Sequence, residues 1–391
     1  MKIEVKKFNF SFRLESFIIR SMASTKETSE KSDGKKKSEE VRKDDKTDKN
    51  EKQEKSNDFI PEIGIVFHWG LYSVPAFDKI SYQRRNGGNG CEWYERRLLQ
   101  DPKGYRPVSG FKETQEYHKT HYGDAKYSDF AKDFKAEKWS PDEWMKTVKN
   151  MGGTKAILTA KHHDGFCLWD TKTTSYNSCA TGAKRDLLKE FKEACQRHGL
   201  KFGVYYSWME FTHTCTINFM NTVVVPQVQE LMKYKPDIWW YDGHWLLNTK
   251  YAQNKVLELV RNIRKEAELE GRKVQINDRI VKDTSENSKD NKILSELSSY
   301  RVFSDRYLPS KPLEGTLWEH IGTIGLSWGR NKQQKKIHYK TGKDLYALYL
   351  EVKEKKGNLL LNLGPNADGT LDEEEVLSLN EFGSIMLQNK S

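Results

Sequence analysis

The stretch 155-KAILTAKHHD-164 is short, apolar on both faces, and closes on three polar side chains. A strand of that texture belongs to a parallel sheet covered on both sides. Working outward, the same pattern recurs in 63-IGIVFHWG-70, 201-KFGVYYS-207, 237-DIWWYDG-243, 274-VQINDR-279 and 358-NLLLNLGP-365. Between these runs lie helix patterns. In 185-RDLLKEFKEACQRHG-199, Leu187, Leu188, Phe191, Ala194 and Cys195 share one face, and Gly199 supplies the stop. Stretches 141–151, 225–234, 251–268 and 342–356 read similarly. Repeated βα alternation with no second architecture predicts an α/β fold of the (β/α) TIM-like barrel type.

In such barrels the loops after the strands gather on one face, so residues that do chemistry stand where each apolar run ends. Here the endings are His68 and Trp69; His162, His163 and Asp164; Tyr205, Tyr206 and Ser207; Asp242 and His244; and Asn277, Asp278 and Arg279. Five polar endings on one predicted face exceed what a packed core needs.

Composition narrows the function classes. The chain has 391 residues, 36% hydrophobic and 12% aromatic, including 11 Trp and 18 Tyr, enough for a large core and for ring faces that pack on sugars. The net charge of +10 is spread among 56 acids with no basic stripe, so a nucleic-acid partner is not expected. No segment approaches the roughly 18 apolar residues that span a membrane, and charges interrupt residues 1–20 where a secretion signal would need an apolar stretch. The compartment is left open. From Lys26 to Asn57 the chain is almost wholly charged or small and polar, without one aromatic, so residues 1–57 are expected to be a disordered leader and 58–391 the barrel. The five cysteines include no CxxC pair. His162, His163 and Asp164 could be a metal set, but adjacent strand residues face opposite ways and the usual ligand spacings are missing, so no metal and no cofactor are expected.

Longer motifs carry a resemblance. The strings 68-HWGLYSVPAF-77, 92-EWY-94, 157-ILTAKHHDGFCLWDTKTTSYNS-178, 235-KPDIWWYDG-243, 277-NDR-279, 318-WEHIGTIGLSWGRN-331 and 357-GNLLLNLGPNADGT-370 resemble, in order, the α-L-fucosidase family of glycoside hydrolases. The resemblance covers residues 62–385 and implies removal of terminal α-linked L-fucose from a glycan or glycoconjugate with retention of configuration. Such enzymes hold two carboxyls about 5–5.5 Å apart, one as nucleophile and one as acid/base. The nucleophile matches Asp242. His68, Glu92, Trp93, His162, His163, Tyr206 and Arg279 match positions that grip the sugar hydroxyls, and Trp328 matches the ring beneath the sugar methyl.

The acid/base is where the pattern departs. In 301-RVFSDRYLPS-310 either Asp305 or Ser304 stands where the family has a Glu. Asp305 keeps a carboxyl and is the expected residue; Glu286, Glu296 and Glu319 are the other candidates. A barrel without that acid would bind fucose and not cleave it, the alternative reading, and a metal-dependent hydrolase using the histidine pair is a third. The segment 208–227 is shorter than its family counterpart, which is expected to open one wall of the site. The usual C-terminal β-sandwich is expected to be missing, which would leave barrel surface as a candidate homo-oligomer contact. The sequons at Asn9 and Asn389 are too common by chance to place the chain outside the cell.

Overall fold

The computed structural model describes residues 59–81, 90–101, 108–281, 289–313 and 315–389, all within the unit Asn57–Ser391. The expected leader, residues 1–57, lies outside the described residues, as do Glu286 and the serine of the Asn389 sequon.

Among the described residues, seven strands form one parallel sheet: β1 (Ile63–Phe67), β2 (Lys155–Lys161), β3 (Lys201–Ser207), β4 (Ile238–Asp242), β5 (Gln275–Ile276), β6 (Glu319–Thr323) and β7 (Asn358–Leu363). Their order is β5-β4-β3-β2-β1-β7-β6, and every pair is parallel. Helices at Pro141–Asn150, Leu187–Arg197, Val225–Met232, Lys250–Leu269 and Gly342–Glu354 stand where the periodicity put them. The second of these starts where Asp186 accepts the Lys189 N–H (2.8 Å) and ends before Gly199 at φ 62°, burying the five residues that the helical periodicity assigned to one face. Helices Phe111–Tyr122 and Glu373–Gln388 were not singled out from sequence.

Strand parity divides the interior into two cores. Ile63, Ile65 and Phe67 of β1, Phe202, Val204 and Tyr206 of β3, Trp239 and Tyr241 of β4, and Leu359, Leu361 and Leu363 of β7 join one large cluster with residues of the helices. Val66, Ile157, Tyr205, Ile238, Trp240, Ile321 and Leu360 meet on the other side of the sheet. Both faces are therefore dry, which explains the unbroken apolar runs.

Two features were not legible in advance. The fifth strand is only two residues long, because the Asn277 side chain takes over the pairing: its Oδ1 accepts the Tyr241 N–H (2.9 Å) and its Nδ2 donates to the Tyr241 carbonyl (2.9 Å). Isolated parallel bridges, Asn277 with Tyr300 and Arg301 with Trp318, lie between β5 and β6. Among the described residues, no helix is long and apolar enough to cross a membrane.

Candidate active site

At the C-terminal ends of the strands lies a cavity of about 520 Å³. Asp242, the last residue of β4, stands at its floor because β4 has Ile238, Trp240 and Asp242 on the inner face. The chain turns away at once through Gly243 at φ 77°. A Cβ there would meet Met209 Cγ at 2.6 Å, so only glycine serves. Asp242 Oδ2 accepts from the Tyr205 hydroxyl (2.8 Å) and Oδ1 from Arg279 Nη1 (3.0 Å), with His163 Nε2 at 3.7 Å. Burial alone would raise this carboxyl; Arg279, His163, His244 and the Tyr205 hydroxyl together outweigh it and hold Asp242 below the ordinary aspartate range. It is an ionised, oriented carboxylate in a nearly dry site.

The second carboxyl shares the same partner. Arg279 Nη2 donates to Asp305 Oδ1 (2.5 Å), so one guanidinium, packed 4.8 Å over the Trp240 ring, spans Asp242 and Asp305. Asp305 reaches this position through its neighbour Arg306, which sits in left-handed backbone conformation (φ 60°). Arg306 donates its N–H to the Ile321 carbonyl (2.9 Å) and its guanidinium to Thr323 Oγ1 (3.2 Å) and the Leu326 carbonyl (3.1 Å).

Two histidines have tautomers fixed by what lies behind them. Ser207 Oγ donates to the Met209 carbonyl (2.7 Å), so it must accept from His163 Nδ1 (2.6 Å). Asn362 donates its amide to the Trp328 carbonyl (2.7 Å) and turns Oδ1 to His68 Nδ1 (2.5 Å). Both rings carry their proton on Nδ1 and keep the Nε2 lone pair free to accept from a hydroxyl. Burial, the largest influence, brings each down to about 4, so both are neutral at physiological pH.

Glu92 lines the cavity, accepts the Gly329 N–H (3.1 Å), and is pushed up to about 7 by burial. Trp93 packs edge-on to His163 (5.7 Å), and the Trp328 ring lies 5.3 Å from His68. Phe211, in the short 208–227 segment, packs against Trp93 (5.1 Å) and His163 (5.5 Å).

Tyr206 is the exception among the expected residues. It points away from the cavity, where its hydroxyl donates to Gln227 Oε1 (2.8 Å) and Lys161 Nζ sits 4.6 Å over its ring. Tyr205 occupies the cavity instead, since Tyr205 pairs with Trp240, while Tyr206 pairs with outward-facing Tyr241. The argument that His162 and His163 face opposite ways also fails. Between Thr159 and Lys161 the β2–β3 register shifts by one residue, which turns Lys161 outward and His162 inward. The chain then turns, and His163 stays on the same side, its ring 4.2 Å from that of His162. Asp164, the proposed third ligand, is instead engaged by the Tyr127 hydroxyl (2.7 Å). Among the described residues, no group of three His, Cys, Asp or Glu is arranged to hold a metal ion.

Of the other acid candidates, Glu296 is exposed on the helix Lys289–Leu297, and Glu319 begins β6 at the opposite end of the sheet, paired with Lys155 (2.5 Å). Tyr205 and His244, marked in the sequence as strand endings but given no sugar contact, and Trp240, Trp245 and Phe303, not marked there, also line the cavity.

A family model described as alpha-L-fucosidase matches residues 28–391. The chain is similar to a putative alpha-L-fucosidase of Caenorhabditis elegans, 30% identical over 336 residues, covering 83% of this chain and 63% of the nematode protein. It is similar to the alpha-L-fucosidase of Dictyostelium discoideum, 27% identical over 343 residues, covering 84% of this chain and 68% of that one. Among solved structures it resembles the Thermotoga maritima alpha-fucosidase in complex with a mechanism-based inhibitor, with 31% identity and a TM-score of 0.69, covering 84% of this chain and 73% of that one. The chain thus spans 63% and 68% of the length of these two curated relatives.

Proposed function

The chain belongs to the α-L-fucosidase family, and on that premise we propose that it releases terminal α-linked L-fucose from glycans or glycoconjugates with retention of configuration. The observation that carries this reading is the single Arg279 guanidinium bound to both Asp242 and Asp305. A guanidinium with one hydrogen bond on each side keeps two carboxyls at a separation suited to the roughly 5–5.5 Å of retaining enzymes. In this reading residues 58–391 are a (β/α) barrel whose eighth position is taken by Ser299–Arg301, and residues 1–57 are a charged leader that precedes it in the sequence. No metal, nucleic acid or membrane takes part.

Asp242, ionised, attacks the anomeric carbon and forms a fucosyl ester as the glycosidic C–O bond breaks. Asp305 gives its proton to the departing oxygen, then accepts one from the water that attacks the ester and frees Asp242. Within the ion pair Asp305 only accepts, so proton donation requires its contact with Arg279 to be replaced by the leaving oxygen. The free Nε2 atoms of His68 and His163 accept sugar hydroxyls, and Trp328 packs on the sugar's C–H surface.

A second assignment of the acid is favoured by one observation: Glu92 is buried in the same cavity and titrates at about 7, where a general acid works best. Turnover of an aryl α-L-fucoside, with the first product observed as the α anomer by NMR, tests the activity. Asp305→Ala tests the acid. Slowed glycan cleavage with nearly intact nitrophenyl fucoside cleavage and azide rescue keeps the role with Asp305; that pattern in Glu92→Gln transfers it. No turnover of any fucoside by the intact chain, with fucose still bound, would make it a binding barrel.

A further inference from the structure

We propose that Lys161 and Glu210 are a positioning pair for sugar binding: their contact outside the sheet holds the register shift that turns both His162 and His163 toward the ligand. The inference rests on the sugar-binding part of the reading above and adds to it two residues, neither of which lines the cavity.

Strand alternation sets the problem. Along β2, Ala156, Leu158 and Ala160 join the outer core and Ile157 the inner one. Continued without a break, that alternation would carry Lys161 inward to the cavity end of the sheet and His162 out of it. The shift between Thr159 and Lys161 reverses both, and it puts two consecutive side chains, Ala160 and Lys161, on the outer side. Burying an ammonium group there is costly, and Lys161 is fully buried. It stays because three groups receive it. Its Nζ donates to Glu210 Oε1 (3.0 Å) and lies 4.6 Å over the Tyr206 ring and 5.7 Å over that of Phe219. Tyr206, whose hydroxyl is taken up by Gln227, thus serves the site from behind.

Glu210 also holds the chain beyond the histidines. A Cβ on Gly165 (φ 77°) would meet Glu210 Cδ at 2.9 Å, so the turn that follows His163 closes directly over the carboxylate. The residue after Glu210, Phe211, donates its N–H to the His163 carbonyl (2.7 Å) and packs its ring on His163 and Trp93. One carboxylate therefore grips Lys161 before the pair and borders Gly165 after it, while its other oxygen faces His213 Nδ1 (3.1 Å) at the surface. The lysine charge separates the shifted register from the regular one, since only the shifted one brings it to Glu210.

The test measures the fucose dissociation constant of the full chain by calorimetry, together with KM and kcat on nitrophenyl fucoside. Lys161→Met keeps the apolar stem and removes the charge, so the shifted register loses its preference. Expected is a roughly tenfold weaker fucose constant, the size of one or two hydroxyl hydrogen bonds, with KM raised alike and kcat changed less. Lys161→Arg, which keeps a cation for Glu210, should stay within about twofold of the unaltered chain. A lower melting temperature with an unchanged fucose constant in the folded Met variant marks a purely structural pair and overturns the proposal, as does equal weakening by Arg and Met. If the Met variant does not fold, Glu210→Gln is read in its place. Its amide keeps an acceptor for Lys161 without the charge and should weaken fucose binding at least about threefold, whereas no change overturns the pair. An unaltered chain that binds fucose and cleaves no fucoside overturns the hydrolytic reading instead, and the pair is then judged from the fucose constants.

Discussion

Both ends of the sheet bury ionisable side chains, and they treat them in opposite ways. At the N-terminal ends, Lys155 is enclosed between Glu319 (2.5 Å) and Glu62 (3.3 Å), with Lys201 adding a contact to Glu62 (2.6 Å). Burial works against the Glu62 charge, but Lys155 and Lys201 bring its carboxyl down to about 2. At the C-terminal ends, two carboxylates share one guanidinium, Glu92 rises to about 7, and two neutral imidazoles turn free lone pairs toward a cavity. The lower network sets opposite charges against one another, although Glu319 Oε1 and Gln275 Oε1 stay without a partner, whereas the upper one turns its spare lone pairs to a cavity. Hydrogen-bonding capacity left over beside open space, rather than buried charge as such, separates a binding site from a structural plug.

The sharpest way to break this contrast is to remove one carboxylate from each end. Asp242→Gly should lower aryl fucoside turnover by about a thousandfold or more with an unchanged melting curve, since the proposed nucleophile has no substitute. Glu319→Gln should do the reverse, because leaving Lys155 buried without its nearest counter-charge costs ~3–5 kcal/mol, while the rate per folded molecule persists. If the Glu319 variant loses rate and not stability, the lower network is not a plug.

Next in size is the pH response of the upper end. Above pH about 7 Glu92 ionises, and a further negative charge enters the cavity that holds Asp242 and Asp305. The value of kcat/KM should fall there, and Glu92→Gln should flatten the falling limb. A limb that persists unchanged in the Gln variant assigns it to another group.

A smaller effect concerns Glu95, in the first turn of the helix Tyr94–Leu98. Burial, with Asp164 and Glu210 adding to it, pushes this carboxyl up to about 9, and its Oε2 has no hydrogen-bond partner. The folded value exceeds the unfolded one, so the protonated carboxyl favours the fold below pH ~4.5 and stability drains as pH rises toward 9. Glu95→Gln should therefore raise the melting temperature at pH 8 and leave it nearly unchanged at pH 4. A variant less stable at pH 8 would contradict the direction.

The smallest effect belongs to the leader. A chain begun at Asn57 should melt within a few degrees of the full one, because residues 1–57 carry no apolar periodicity and too little hydrophobic content to dock. A large drop would show that the leader packs on the α/β unit.

How far the site was legible follows from what each residue's position depends on. Asp242, Arg279 and His68 stand at strand ends, where apolar runs stop, and sequence marks such places directly. Tyr205 was within reach: in 201-KFGVYYS-207 the outward set must be the uniformly apolar one, Phe202, Val204 and Tyr206, which leaves Gly203, Tyr205 and Ser207 inside. Choosing Tyr206 set the motif match above the alternation. The His162–His163 pair was misread for a different reason, since a one-residue register shift has no signature in composition or period. The loop position of Asp305 depends on the left-handed Arg306 and on partners around residues 321–326, contacts between segments that no local pattern encodes. The fifth strand shrinks because a side-chain amide can imitate a backbone, which propensity does not foresee.

The register shift at the end of β2 has a consequence for how a short segment serves a small ligand. A regular strand offers a ligand every second residue, so two neighbouring recognition groups must come from different strands and depend on the accuracy of their packing. The shift lets two consecutive imidazoles, with centroids 4.2 Å apart, address one ligand from one piece of backbone. Their relative placement is then set by covalent geometry and one turn, and it survives small movements between strands. In a scaffold of this kind, a single extra residue at a strand end doubles the local density of contacts without lengthening a loop.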